Sequence, residues 1–198
     1  THHGLFDYAY IRSVPNIIAM APKDENELQH MLKTATECRS PVSVRYPRGQ
    51  GVGANMDETP RDIPVGRGEI LCDGSDLAIV AIGSTVWPAM AAARKLRQEG
   101  IGIRVINARF IKPLDGELLC RTANDLKKII TVEENVLMGG FGSALLELFE
   151  QEGIRDVRVR RLGIADEFAA HATQAELRSQ YGIDEAGIIQ AARQMAAS

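Results

Sequence analysis

The chain has 198 residues, 45% apolar and 25% charged, the composition of an ordinary folded soluble protein. Its 26 acidic and 23 basic residues leave a net charge of −3, which disfavours a nucleic-acid reader, whose binding domain is normally strongly basic. Cys38, Cys72 and Cys120 are widely spaced, with no C-x-x-C and no zinc spacing, so reduced thiols in a cytoplasmic protein are expected. No apolar run approaches the ~20 residues of a membrane span.

In chain order, the first readable element is "VPNIIAMAP". Ile17–Met20 form a short apolar run between prolines, which suggests a buried strand. "DENELQHMLKTATE" follows as a helix, with Asp24 as cap and Glu27 completing a capping-box pattern. Leu28, Met31, Leu32 and Ala35 give it one apolar stripe. "PVSVRYP" reads as a second strand ending at Pro47. Residues 1–48 are therefore expected to be strand–helix–strand, the tail of an α/β domain. Two strands and a helix bury too little surface to stand alone, so text N-terminal to Thr1 is expected to supply the rest.

Residues 49–64, "GQGVGANMDETPRDIP", are rich in Gly, Pro and charge and read as a linker. Residues 65–198 form a second α/β pattern. "GRGEILCDGSDLAIVAIG" reads as a hairpin of strands Gly68–Cys72 and Leu77–Ile82. A helix over Pro88–Glu99 is capped at Ser84 or Thr85 and stopped by Gly100. "IGIRVINARF" reads as one strand, and Asp115 caps the next short helix. The strand "KKIITVEE", the helix "GGFGSALLELFEQEG", the strand "VRVRRLG" and two closing helices, "TQAELRSQYG" and "DEAGIIQAARQMAAS", complete the pattern. Alternating strands and helices imply a mostly parallel sheet flanked by helices.

Several short motifs carry possible chemistry. His2 and His3 are adjacent, so on extended backbone only one imidazole faces a given pocket; acid/base work, a plain surface loop and a tag remnant all fit. Arg45 and Arg48 of "RYPRG" stand at a strand's carboxyl end, where α/β sheets bind ligands. Their forks match phosphate or carboxylate, and solvated or salt-bridged arginines fit equally. "GGFGSAL" lacks the third glycine of a dinucleotide fingerprint and reads better as a tight, closely packed turn than as a phosphate cradle. Of Glu133 and Glu134 we expect one buried and one solvated. Lys112 and His171 read as lone loop residues.

"THHGLFDYAYIRSVPN" and "VRYPRG", with "ARFIKPLD", "TVEENVLMGGFGSAL" and "RLGIADEF", together resemble the 1-deoxy-D-xylulose-5-phosphate synthase family of transketolase-like thiamine-diphosphate enzymes. The resemblance runs from Thr1 to Met195. It implies the end of a transketolase-like pyrimidine-binding domain (1–48), a linker (49–64) and a transketolase C-terminal-like α/β domain (65–198). It implies a homodimeric, cytoplasmic enzyme using thiamine diphosphate and Mg2+. That enzyme would condense pyruvate with D-glyceraldehyde 3-phosphate, with loss of CO2, and feed isoprenoid, thiamine and pyridoxal synthesis. It assigns His2 to the active site, His3 as its neighbour, Arg48 to the acceptor's phosphate, and Tyr46 and Arg45 to shaping the substrate-binding strand end. The family's Gly-Asp-Gly metal motif and its activating glutamate have no counterpart here; "CDGSD" is only a turn. The chain alone is therefore expected to be inactive, with His2 exposed and mobile. Two rival readings are another transketolase-like or 2-oxoacid dehydrogenase β-like enzyme and a non-catalytic dimerisation module.

Overall fold

A computed structural model describes residues 4–197. Residues 4–48 contain α1 (Asp7–Ser13), β1 (Ile18–Met20), α2 (Glu25–Glu37) and β2 (Val42–Val44). The remainder contains β3 (Glu69–Cys72), β4 (Leu77–Ala81), α3 (Val86–Gln98), β5 (Ile103–Asn107), β6 (Phe110–Lys112), α4 (Gly116–Leu126), β7 (Lys128–Val136), α5 (Phe141–Gln151), β8 (Arg158–Ile164), α6 (Gln174–Gln180) and α7 (Glu185–Ala196).

The main sheet has strand order β3-β5-β4-β7-β8. β4 lies parallel to both β5 and β7, and β8 runs parallel to β7. All five residues of β4 are buried, as a central parallel strand requires. Its side chains alternate between two cores. Leu77, Ile79 and Ala81 face α3 and α7; Ala78 and Val80 face α4, α5 and Tyr8 of α1. Helices thus cover both faces, as the alternating pattern implied.

Several expectations need correction. β3 and β4 are not a hairpin, because β5 lies between them and pairs antiparallel with β3. The fully apolar β4 belongs at the sheet's centre, whereas β3 carries Glu69 and a half-exposed Ile70 and suits the edge. "IGIRVINARF" is two strands, not one. Arg109 takes a left-handed backbone (φ 58°), the chain leaves the main sheet there, and β6 joins a small sheet of order β2-β1-β6. The sequence reading also passed over α1, which has no side-chain N-cap bond to announce it.

The buried side of α2 differs from the expected stripe as well. It consists of Glu27, His30, Met31 and Thr34, while Leu32 is 48% exposed. The cause is the segment that follows β2. It has no regular structure but lies along α2, which satisfies its backbone donors. Gly53 N–H donates to Glu25 (2.8 Å), Asp57 N–H to Asn26 Oδ1 (2.8 Å), Arg61 N–H to His30 Nδ1 (3.0 Å) and Ile63 N–H to Thr34 Oγ1 (2.8 Å). Because His30 Nδ1 accepts, the ring proton sits on Nε2 and points at Asp57, 2.9 Å away. The Ile63 side chain enters a small core with Met20, Met31 and Phe110. Asp24 caps α2 through the Glu27 N–H as expected, but the Glu27 carboxylate reaches back to Lys23 N–H rather than to the cap. It also accepts from Asn107 Nδ2 (2.9 and 3.0 Å) and Arg109 Nε (2.7 Å), tying α2 to the end of β5.

Candidate active site

The carboxyl ends of β2 and β7 meet beside α6. β2 stops at Val44, and the backbone of Arg45 still donates to Met20 O, so Tyr46–Arg48 leave the small sheet from a fixed point. On the other side, Leu5 O accepts from Val136 N–H (2.7 Å) and Asn135 Oδ1 from Tyr8 N–H (3.1 Å), which lays residues 4–8 against the end of β7. Between them lies a cleft of about 470 Å3, lined by Gly4, Arg45, Arg48, Glu134, His171 and Arg178 among others.

Arg45 is consumed by the protein. Its Nη2 donates to Gly4 O (2.8 Å) and Glu134 O (3.1 Å), its Nε and Nη1 lie 3.8 and 3.7 Å from the Asp7 and Glu134 carboxylates, and its Cζ lies 5.2 Å from the Tyr8 ring centre. Burial pulls the guanidinium's pKa down, but Tyr8, Glu134 and Asp7 outweigh it, and the net shift is upward. The Tyr8 hydroxyl is pushed up to about 12, foremost by burial. Arg45 therefore clamps Gly4, the residue that follows His2–His3, to the end of β7.

Arg48 differs. It is exposed at the mouth of the cleft, and its guanidinium makes no hydrogen bond or ion pair with the described residues. Its backbone carbonyl accepts from Gln174 Nε2 of α6 (3.1 Å), which steadies the loop from across the cleft. Tyr46 is exposed beside it. His2 and His3 lie outside the described residues.

Glu133 and Glu134 do point to opposite sides of β7, but both are buried, because each side of that strand end is covered. Glu134 faces the cleft, where it accepts from Ser84 Oγ and Arg178 Nη2 (3.2 Å). Glu133 caps α5, accepting from Phe141 N–H (2.6 Å) and Gly142 N–H (2.8 Å). Burial pushes its pKa up to about 7, against those two donors and the charges of Arg161 and Arg12. The Phe141 and Gly142 amides of "GGFG" are thus occupied by an internal carboxylate rather than turned to an external phosphate. Lys112 is structural: its Nζ donates to Arg12 O (3.1 Å) and Val14 O (2.6 Å).

Sequence reasoning passed over Arg178 and Gln174, and set His171 aside as a lone loop residue. Nothing local marks Arg178, which sits in the polar run "TQAELRSQ". It reaches the cleft only because β8 and α6 return the chain to the end of β7.

The transketolase C-terminal domain model matches residues 66–188, and the transketolase pyrimidine-binding domain model matches residues 1–52. The chain belongs to the transketolase family. Curated relatives named 1-deoxy-D-xylulose-5-phosphate synthase include those of Syntrophus aciditrophicus, 62% identical over 98% of this chain, and Halothermothrix orenii, 54% identical over 97%. In both cases the chain spans 30% of the relative's length. Among solved structures, one titled a split gene transketolase, inactive beta4 tetramer, superimposes with a TM-score of 0.87 at 32% identity, covering 99% of this chain and 62% of that one. A Pichia stipitis transketolase mutant, at TM-score 0.71 and 22% identity over 96% of this chain and 26% of its own, shares the fold. No helix among the described residues is long and apolar enough to cross a membrane.

Proposed function

We propose that this chain works as part of a 1-deoxy-D-xylulose-5-phosphate synthase. In the complete enzyme pyruvate would lose its carboxylate as CO2, and its remaining two-carbon acyl unit would join the aldehyde carbon of D-glyceraldehyde 3-phosphate. The observation that carries this reading is Arg48. It is a guanidinium with no partner among the described residues, at a strand end in a cleft, within a chain 62% identical over 98% of its length to a relative of that name. A fork of this kind binds a phosphate dianion through two parallel charge-assisted hydrogen bonds.

The residues divide the work. Arg48 holds the acceptor's phosphate and Tyr46 walls the entrance. Arg45 holds the Gly4 carbonyl at the end of β7; His2 we assign to proton handling at the reacting carbons, with His3 as its support. Residues 1–48, 49–64 and 65–198 are proposed as the end of the pyrimidine-binding domain, a linker and the C-terminal domain.

Thiamine diphosphate and Mg2+ would belong to the complete enzyme. Among the described residues no group of three His, Cys, Asp or Glu side chains could hold a metal ion, so these residues do not fit the metal-bound cofactor and no step is derived through it. By itself the chain is proposed to be inactive and to self-associate as a homodimer or larger assembly; the 32%-identical neighbour titled an inactive tetramer supports this. The three free cysteines support a cytoplasmic location. The test is to assay the full-length enzyme with pyruvate and D-glyceraldehyde 3-phosphate. Release of CO2 with 1-deoxy-D-xylulose 5-phosphate is expected; failure to form the pentulose phosphate would sink the reading.

A further inference from the structure

β8 ends the main sheet, and no strand among the described residues lies beyond it. The Arg158 N–H donates to Lys127 O (2.7 Å), so Arg158, Arg160 and Leu162 turn their backbone groups toward β7. A parallel ladder engages alternate residues, which leaves the N–H and C=O of Val159 and Arg161 on the open edge. A groove of about 490 Å3 lies beside this edge, lined by Arg158, Arg160, Arg161 and, from α7, Gln194 and Met195; no Asp or Glu lines it. Arg160 bonds to the Gln194 side chain, and Arg161 to the Leu137 carbonyl (3.0 Å) and the Ser143 hydroxyl (2.9 Å), all uncharged partners. Leu162 packs into the core under α7, so Arg158 and Arg160, which share its face, flank the edge on that side. Val159 packs on the α5 side, beside a second hollow of about 500 Å3 whose lining includes Leu146, Phe149, Ile154 and Val157. Its charged lining is one Glu and one Arg, Glu150 and Arg155, so that hollow is apolar without a charge bias. The edge thus offers unpaired backbone, cations on one flank and an apolar hollow on the other. A second copy does not suit it, because β8 laid against β8 would set arginines opposite arginines.

We propose that β8 is a docking edge for an extended segment of another protein in which acidic and apolar side chains alternate. The segment's backbone adds a strand to the sheet through Val159 and Arg161. Successive side chains of an added strand point to opposite faces. Its acidic side chains meet Arg158 and Arg160, and its apolar ones enter the hollow beside α5. None of these residues lines the cleft between β2 and β7, and the proposal does not depend on the synthase reading.

The experiment uses the full-length protein and its Arg160→Gln and Arg160→Glu variants. The probe is a fluorescently labelled synthetic peptide of about eight residues alternating glutamate and valine, the length of an ordinary strand. Two control peptides carry lysine in place of glutamate, or a methyl group on every backbone nitrogen. Fluorescence anisotropy should show the glutamate–valine peptide binding the wild type, with both controls at least about 10-fold weaker. R160Q should weaken binding about 10-fold and R160E further, and added salt should weaken it in the wild type. Hydrogen exchange over residues 157–164 should slow when the peptide binds, and synthase activity of R160Q should stay within about twofold of wild type. No binding at about 1 mM peptide would overturn the proposal. Equal binding of the N-methylated peptide would reduce it to charge attraction without strand addition, and equal binding by R160E would remove the arginine flank; either result overturns it.

Discussion

Glu27→Gln tests the contact that ties α2 to the end of β5. Glu27 is buried and its carboxylate accepts from Lys23 N–H, both contacts of Asn107 Nδ2, and Arg109 Nε. Glutamine keeps the volume but removes the charge and turns one acceptor into a donor facing those donors. Breaking a buried charge pair typically costs about 3–5 kcal/mol. Arg109 keeps Glu69 at 2.6 Å and Lys23 keeps a contact with Asp24, so about 2–4 kcal/mol is expected here. Equilibrium urea unfolding at pH 7 should show a midpoint lower by about 1 M with an unchanged slope. Burial raises the Glu27 pKa, but Lys23, Arg109 and the backbone donor outweigh it, and the net shift is below the ordinary 4.5. A carboxyl group shifted this way contributes fully above pH 4.5 and loses its contribution as pH falls through its folded value. The gap between wild type and E27Q should therefore close on acidification. A gap under about 1 kcal/mol at pH 7, or one that stays constant into acid, would refute the reasoning.

Gly140→Ala would place a Cβ 2.2 Å from Glu133 Oε2 and 2.5 Å from the Val136 carbonyl, a clash with backbone that should cost about 2–3 kcal/mol. Calorimetry should register a Tm lower by about 4–10 °C, and an unchanged Tm would contradict the packing at the α5 N-terminus. Glu133→Gln should show the opposite pH trend to Glu27. With its folded pKa raised to about 7 from 4.5, Glu133 is most favourable below pH 4.5, and wild type should lose about 3 kcal/mol relative to E133Q as pH rises through 7. A flat difference in urea unfolding between pH 4.5 and 7.5 counts against it. In the full-length enzyme, Arg48→Ala should raise KM for D-glyceraldehyde 3-phosphate about 10- to 100-fold and leave that for pyruvate in place; a matched rise in both would remove Arg48 from the phosphate site.

Much of the architecture was legible in the residue order, because local physics writes it there. Asp24 and Asp115 cap the helices they were expected to cap, and Gly100, at φ 82°, stops α3. The unbroken apolar run of β4 marked a buried strand. What failed was non-local. Strand order depends on which surfaces need covering, so a hairpin that looked natural between β3 and β4 gave way to β5. The polar face of α2 was invisible as a buried face, because its partner is the backbone of a segment with no pattern of its own.

The site divides along the same line. "THHG" and "YPRG" announce a family and name His2 and Arg48, since those residue types in that order are read directly. Residue type and strand position could not by themselves separate Arg45 from Arg48; only the family resemblance gave them different roles. Three residues apart, one is a buried clamp and the other has no partner among the described residues, a difference set by Asp7, Tyr8 and Glu134 arriving from elsewhere in the chain. Nor could it bring Arg178 and His171 to the same cleft. Charge and hydrogen-bonding capacity are properties of single residues, but which of them remain unspent is decided only when distant strand ends converge.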